Sequence, residues 1–153
     1  MPNPLGDQPP PILGDAVPAG ESIELARERL QALALQWILD GTNWLSGEEV
    51  ATQAGVGVAT IERWKEERKV FAINHEGREL YPRYAFDEQL RPLAVIDEVL
   101  TIFVDSSAMS VAAWFESTSS FLRGKRPREL AANAPDQVKA AAANSLELER
   151  HPG

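Results

Sequence analysis

Four cations fall within six residues at Arg123, Lys125, Arg126 and Arg128, directly after the apolar pair Phe121-Leu122. Arginine and aromatic side chains dominate the energy of protein interfaces, so this spacing suggests a contact surface for a protein partner. Two other readings compete: a solvated face above core anchors such as Trp114 and Leu130, or a site for an anion or nucleic acid. Most base readers sit on a helix or strand, whereas this cluster falls in a polar loop, so the last reading is the weakest. A second constellation, Val58, Ala59, Thr60, Arg63, Arg68, Lys69 and Arg78, has the residue types that contact DNA bases and phosphates. Catalysis has little support. Glu48-Glu49 and Glu66-Glu67 are adjacent pairs whose members point in different directions on a helix, which suits a solvated face. Gly55-x-Gly57-x-x-Thr60 lacks the third glycine and the preceding strand of a dinucleotide fingerprint. The hydroxyl run Ser117–Ser120 has no base beside it, since His75 falls in a turn and His151 near the end. With no cysteine and two histidines, thiolate and imidazole chemistry are nearly excluded. The expectation is a protein without catalytic residues, metal or cofactor.

The chain of 153 residues has room for one ordinary domain or two small ones. Fifteen Lys+Arg against 23 Asp+Glu give a formal charge of −8, so contact with DNA would require a local patch. A run of about 18 apolar residues is absent, and MPNPLGDQPPPILGD lacks the basic start and apolar run of a signal peptide. A cytoplasmic protein without membrane contact is expected.

Elements must position these residues. Six of the eleven prolines lie in the first twenty residues, which predicts a disordered Pro-rich arm over 1–20, either a plain leader or a segment that orders on a partner. Ile23, Ala26, Leu30, Leu33 and Trp37, spaced three and four apart, predict an amphipathic helix ending at Gly41. Leu35, Ile38 and Leu39 widen its apolar stripe, which suits a core or a homodimer interface. Ser46 is a good N-cap for a helix over 47–54, Gly55-Val56-Gly57 a turn, and 58–68 a second helix with Ile61 and Trp64 inward. Short strands at 70–73 and 79–81 flank a hairpin turn. After Pro92 comes a helix with Leu93, Ile96, Leu100 and Phe103 on one stripe. Three short helices then follow: one around 111–115, one from Pro127 and one from near Pro135. The expected fold is mostly α, a helix-turn-helix headpiece with a small β-hairpin wing followed by a small helical domain. The expected division is arm 1–20, headpiece 21–91, helical domain 92–146 and flexible tail 147–153.

The stretch LSGEEVATQAGVGVATIERWKEERKVFAINHEGRELYPRYAFD resembles the winged helix-turn-helix of the MerR and excisionase-like groups. That resemblance implies a recognition helix over 58–68, with Val58, Ala59, Thr60 and Arg63 toward the major groove, Arg68 and Lys69 on phosphates and the turn near Arg78 on the backbone. From Ser46 to Phe86 six basic residues face seven acidic ones, a net of −1. Weak DNA binding by a monomer, reinforced in a homodimer, is one expectation, and a headpiece kept for folding or protein contact is the other.

The segment AAWFESTSSFLRGKRPRELAANAPDQVKAAAA resembles the toxin-binding domain of the Xre/MbcA/ParS-like antitoxins. Trp114 and Phe115 match its first pair; Phe121, Leu122 and Gly124 its loop; Pro127, Glu129 and Leu130 its small helix; Val138 and Ala140–Ala142 its last helix. Where that pattern often has two adjacent glycines, this chain has Arg123-Gly124. The resemblance implies an antitoxin whose partner is a RES-type toxin, a small enzyme that consumes or transfers from NAD⁺. The implied toxin-binding residues are Phe121, Leu122, Arg123, Gly124, Lys125, Arg126 and Arg128. Operator DNA is an additional expected partner. The alternative is a stand-alone MerR-like regulator whose last helices serve dimerisation.

Overall fold

In a computed structural model of the chain, residues 22–150 are described; the predicted arm over 1–20 and the last three residues of the predicted tail lie outside them. The chain divides into two compact units, one up to Thr42 and one from Asn43 onward.

The first contains α1 (Ile23–Gly41). Ser22 caps it, its Oγ accepting from the Leu25 N–H at 3.1 Å. Of the predicted stripe Ala26 is buried, whereas Ile23 and Leu33 are exposed; Ile38 is the other buried residue of this helix.

The second unit is mostly helical, with a small antiparallel sheet. It runs β1 (Trp44–Ser46), α2 (Gly47–Ala54), α3 (Val58–Glu66), β2 (Ile73–His75), β3 (Arg78–Pro82), α4 (Ala94–Ile102), α5 (Ala108–Glu116), α6 (Pro127–Leu130) and α7 (Pro135–Arg150). The predicted Ser46 cap is a complete capping box: Glu49 N–H donates to Ser46 Oγ at 3.1 Å, and Ser46 N–H donates to Glu49 Oε1 at 2.9 Å. These bonds hold the Glu49 carboxyl below its usual range, the Ser46 backbone bond contributing most. α2 ends where Gly55 adopts φ 73° and Val56 N–H reaches back to the Ala51 carbonyl at 3.0 Å. A left-handed residue there suits glycine because no Cβ meets the backbone.

The hairpin differs from its predicted limits. Val70 and Phe71 are buried but precede the ladder, which begins at Ile73 opposite Leu80 and closes at His75 opposite Arg78. Its two-residue turn, Glu76-Gly77, has φ 53° and 77°, the pair of positive values that matches the twist of the strands. A third strand was not expected: β1 joins the outer side of β3, with Leu45 opposite Tyr81.

Residues 43–150 lie in one compact unit, in which hairpin and helical segments share an aromatic core. Phe71 stacks on Phe115 at 5.9 Å, and Tyr84 lies 4.9 Å from Phe115 between ring centroids. Trp44 meets Phe71 and Tyr84 edge-on, and Trp114 meets Phe103 and Phe115 in the same manner. The tail expected from Glu147 is helical as far as Arg150, because the run from Val138 to Arg150 contains good helix formers and neither Gly nor Pro.

Candidate partner-docking site

Ser107 caps α5 by accepting from Ser110 N–H, and the helix buries Val111, Ala112, Phe115 and Glu116. Glu116 stands one helical turn after Ala112, so the periodicity that buries the apolar residues also draws a carboxylate inside. It is 2% exposed. Arg128 Nε donates to both carboxylate oxygens at 2.9 Å, and Arg126 Nε donates to the Glu116 carbonyl at 2.8 Å. A buried carboxylate with two guanidiniums beside it has the counter-charge and hydrogen bonds that make its burial tolerable.

This network ties the end of α5 to the start of α6, and the intervening segment becomes a tight loop. Ser119 N–H donates to the Lys125 carbonyl at 3.0 Å, and Gly124 N–H donates to the Ser119 carbonyl at 2.7 Å. Arg123 and Gly124 occupy the left-handed region at φ 59° and 83°. The tight turn therefore forms with arginine in the first of its two positions, at a backbone cost of about 1–2 kcal/mol relative to a right-handed residue. Arg126 N–H then donates to Glu129 Oε2 at 2.7 Å, starting α6 behind Pro127 at its first position.

The consequence is a division among the candidate residues. Arg126, 9% exposed, and Arg128 are engaged by Glu116 and do not form the free basic surface expected of them; the correction follows from the buried charge they neutralise. Leu122 is buried. Arg123 and Lys125 are exposed, and neither pairs with a carboxylate among the described residues. Phe121 is 49% exposed. Together with Leu130, Ala134 and Gln137 these residues line a groove of about 490 Å³. Its lining combines apolar side chains with the exposed cations Arg123 and Lys125.

Tyr84 lies near this network. Its hydroxyl is buried and has no hydrogen-bond partner among the described residues. Burial pushes its phenol well above the usual range; the Glu116 charge adds to the rise and Arg128 opposes it. The signal for Glu116 was present in the spacing Val111, Ala112, Phe115, Glu116, but nothing in the local sequence marks Tyr84 as its neighbour.

The DNA-type constellation is arranged differently. Val58, Ala59 and Arg63 are exposed along α3, and Thr60 is half-buried. Arg63 lies 3.8 Å and Lys69 3.1 Å from Glu67, while Lys65 pairs with Glu79. Arg68, expected on phosphates, donates from Nη2 to the Leu100 carbonyl at 2.9 Å, which draws it toward α4. Arg78 lines a groove with Glu48, Glu62 and Glu79, so the surface between α3 and the hairpin is more acidic than a phosphate-binding face requires.

Among the described residues no cluster of three His, Asp or Glu could hold a metal ion. No described helix is long and apolar enough to cross a membrane. In comparisons with known proteins, the chain matches no family model, no curated protein and no solved structure.

Proposed function

We propose that the protein is a docking module that neutralises a partner protein, acting as the antitoxin of a type II toxin–antitoxin pair. The observation that carries this reading is the groove beside Phe121, whose cations Arg123 and Lys125 pair with no carboxylate among the described residues while the loop bearing them is held by Glu116. A preformed loop loses little conformational entropy on binding, and a half-exposed aromatic flanked by cations is an anchor of the type that dominates interfaces. The resemblance of residues 112–143 to the antitoxin pattern supplies the partner class, a RES-type toxin whose NAD⁺-consuming site would be covered. No residue of this chain performs chemistry in that mechanism. Its action is steric: occupation of the partner's cleft excludes substrate, and inhibition persists for as long as the complex does. The whole complex is placed in the cytoplasm, where NAD⁺ is available to such an enzyme.

Co-expression with the product of the neighbouring reading frame tests this. Rescue of growth and co-purification of a stable complex are expected, and the absence of both overturns the proposal.

A second reading, operator binding by a homodimer, is favoured by the exposed start of α3 at Val58 and Ala59 after a left-handed Gly55 turn. The internal pairing of Arg63, Lys65 and Lys69 leaves few cations for phosphates. A gel shift on the upstream DNA across a salt series should therefore show weak binding that is lost steeply as salt rises. No shift even at low salt would remove DNA from the function.

A further inference from the structure

We infer that the groove beside Phe121 receives an acidic, amphipathic segment of the partner protein, with an apolar side chain on the groove floor and flanking carboxylates on Arg123 and Lys125. This rests on the docking function proposed above and specifies the chemistry of what docks.

The floor comes first. Phe121, Leu122, Leu130 and Ala134 present apolar surface in a space of about 490 Å³, within the usual range for a site that accepts a large apolar group. Burial of such a group supplies affinity without regard to direction or sequence. Direction comes from the rim. Four cations lie in the loop and the start of α6, but Arg126 and Arg128 are oriented inward by Glu116. Arg123 and Lys125 remain, on either side of Gly124, and both line the groove. Carboxylates placed beside the apolar group would meet them, whereas lysines there would be repelled.

The rest of the molecule sharpens this choice. The whole chain carries −8, so an acidic partner is disfavoured at most of its surface and favoured at this rim, which orients the encounter. A nucleic acid fits less well: two free cations neutralise too few phosphates for tight binding, and the apolar floor gives a phosphate chain no contact. The turn geometry also matters. With Arg123 and Gly124 both at positive φ, the loop is tightly bent and cross-linked by the Ser119–Lys125 hydrogen bond, so the two cations are presented without prior ordering.

The test uses the full chain and two labelled peptides, Glu-Glu-Leu-Phe-Glu-Glu and Lys-Lys-Leu-Phe-Lys-Lys, followed by fluorescence anisotropy and by amide chemical shifts. The acidic peptide should bind, shifting amides of Phe121, Leu130 and Ala134, and the basic one should not. The double variant Arg123→Glu, Lys125→Glu should weaken the acidic peptide about tenfold or more and favour the basic one. Both substitutions are at exposed positions, and melting is measured alongside. Phe121→Ala should weaken the acidic peptide while leaving the charge preference intact. The inference is overturned if neither peptide binds below millimolar concentration, if both bind equally, if the shifts map elsewhere, or if a single-stranded oligonucleotide displaces the acidic peptide from the groove. Concentration-dependent self-association through the groove would overturn it in favour of a second copy. If co-expression still rescues growth and charge reversal does not alter it, the docking function stands and only the acidic segment is rejected.

Discussion

Removing the Glu116 carboxylate would leave the guanidiniums of Arg126 and Arg128 in a largely enclosed site without their counter-charge. Breaking a buried pair from one side costs about 3–5 kcal/mol, far more than an exposed ion pair is worth. Glu116→Gln keeps the shape and some hydrogen bonding but not the charge, so it should lower the melting temperature by several degrees, and Glu116→Ala by more. A change in melting no larger than that of an exposed Glu88→Gln control would show that the network is not structural. Tyr84 makes the opposite case, because its hydroxyl is buried and has no hydrogen-bond partner among the described residues. An unsatisfied buried polar group costs about 1–3 kcal/mol, so Tyr84→Phe should raise the melting temperature. The same substitution should flatten the alkaline limb of stability. An unfolded tyrosine ionises near about pH 10, whereas the folded phenol stays protonated to higher pH. The stability this group contributes is therefore complete below that pH and declines as pH rises beyond it. Denaturant melts between pH 8 and 11 on both proteins check the sign.

Among the elements, the α2–turn–α3 unit depends on Gly55 at φ 73°. Space is not the issue, since a Cβ there meets no atom within 4 Å. The backbone conformation is. Gly55→Ala should cost about 1 kcal/mol, and Gly55→Val more, because β-branching adds strain in the left-handed region. Chemical denaturation reads this directly, and an unchanged midpoint for both variants would mean that the turn can relax. The loop between α5 and α6 shows the same physics with a different residue, because Arg123 takes a position suited to glycine. Its retention there places a cation on the groove rim at a conformational cost.

For the molecule as a whole, the shared aromatic core of residues 43–150 makes cooperative unfolding the expectation. Phe115 is fully buried between Phe71, Tyr84 and Trp114. Phe115→Ala should cost about 3–5 kcal/mol. It should destabilise the hairpin and the helices together, with far-UV and near-UV circular dichroism giving one transition. Two separate transitions within 43–150 would restore a domain boundary near residue 91. The periodicity of local segments could not reveal this unity. Of the expected stripe Leu93, Ile96, Leu100 and Phe103, the last three are buried while Leu93 is the half-buried N-cap of α4, and Ser46, Gly55, Pro127 and Pro135 marked helix ends because caps and breakers act within a few residues. β1 was missed because a three-residue strand has no periodicity of its own and exists only by pairing with β3. The groove was partly legible: its residue types and its loop stood out, but which cations were free did not. Sequence alone determined the mostly helical class, the caps and turns, and the concentration of basic charge near Phe121, since these depend on neighbours along the chain. Only the tertiary structure decided that Arg126 and Arg128 face Glu116, that Arg123 and Lys125 are exposed, and that the Tyr84 hydroxyl has no hydrogen-bond partner among the described residues. Those outcomes depend on which distant groups share a low-dielectric interior, where an unpaired charge is too costly to leave alone.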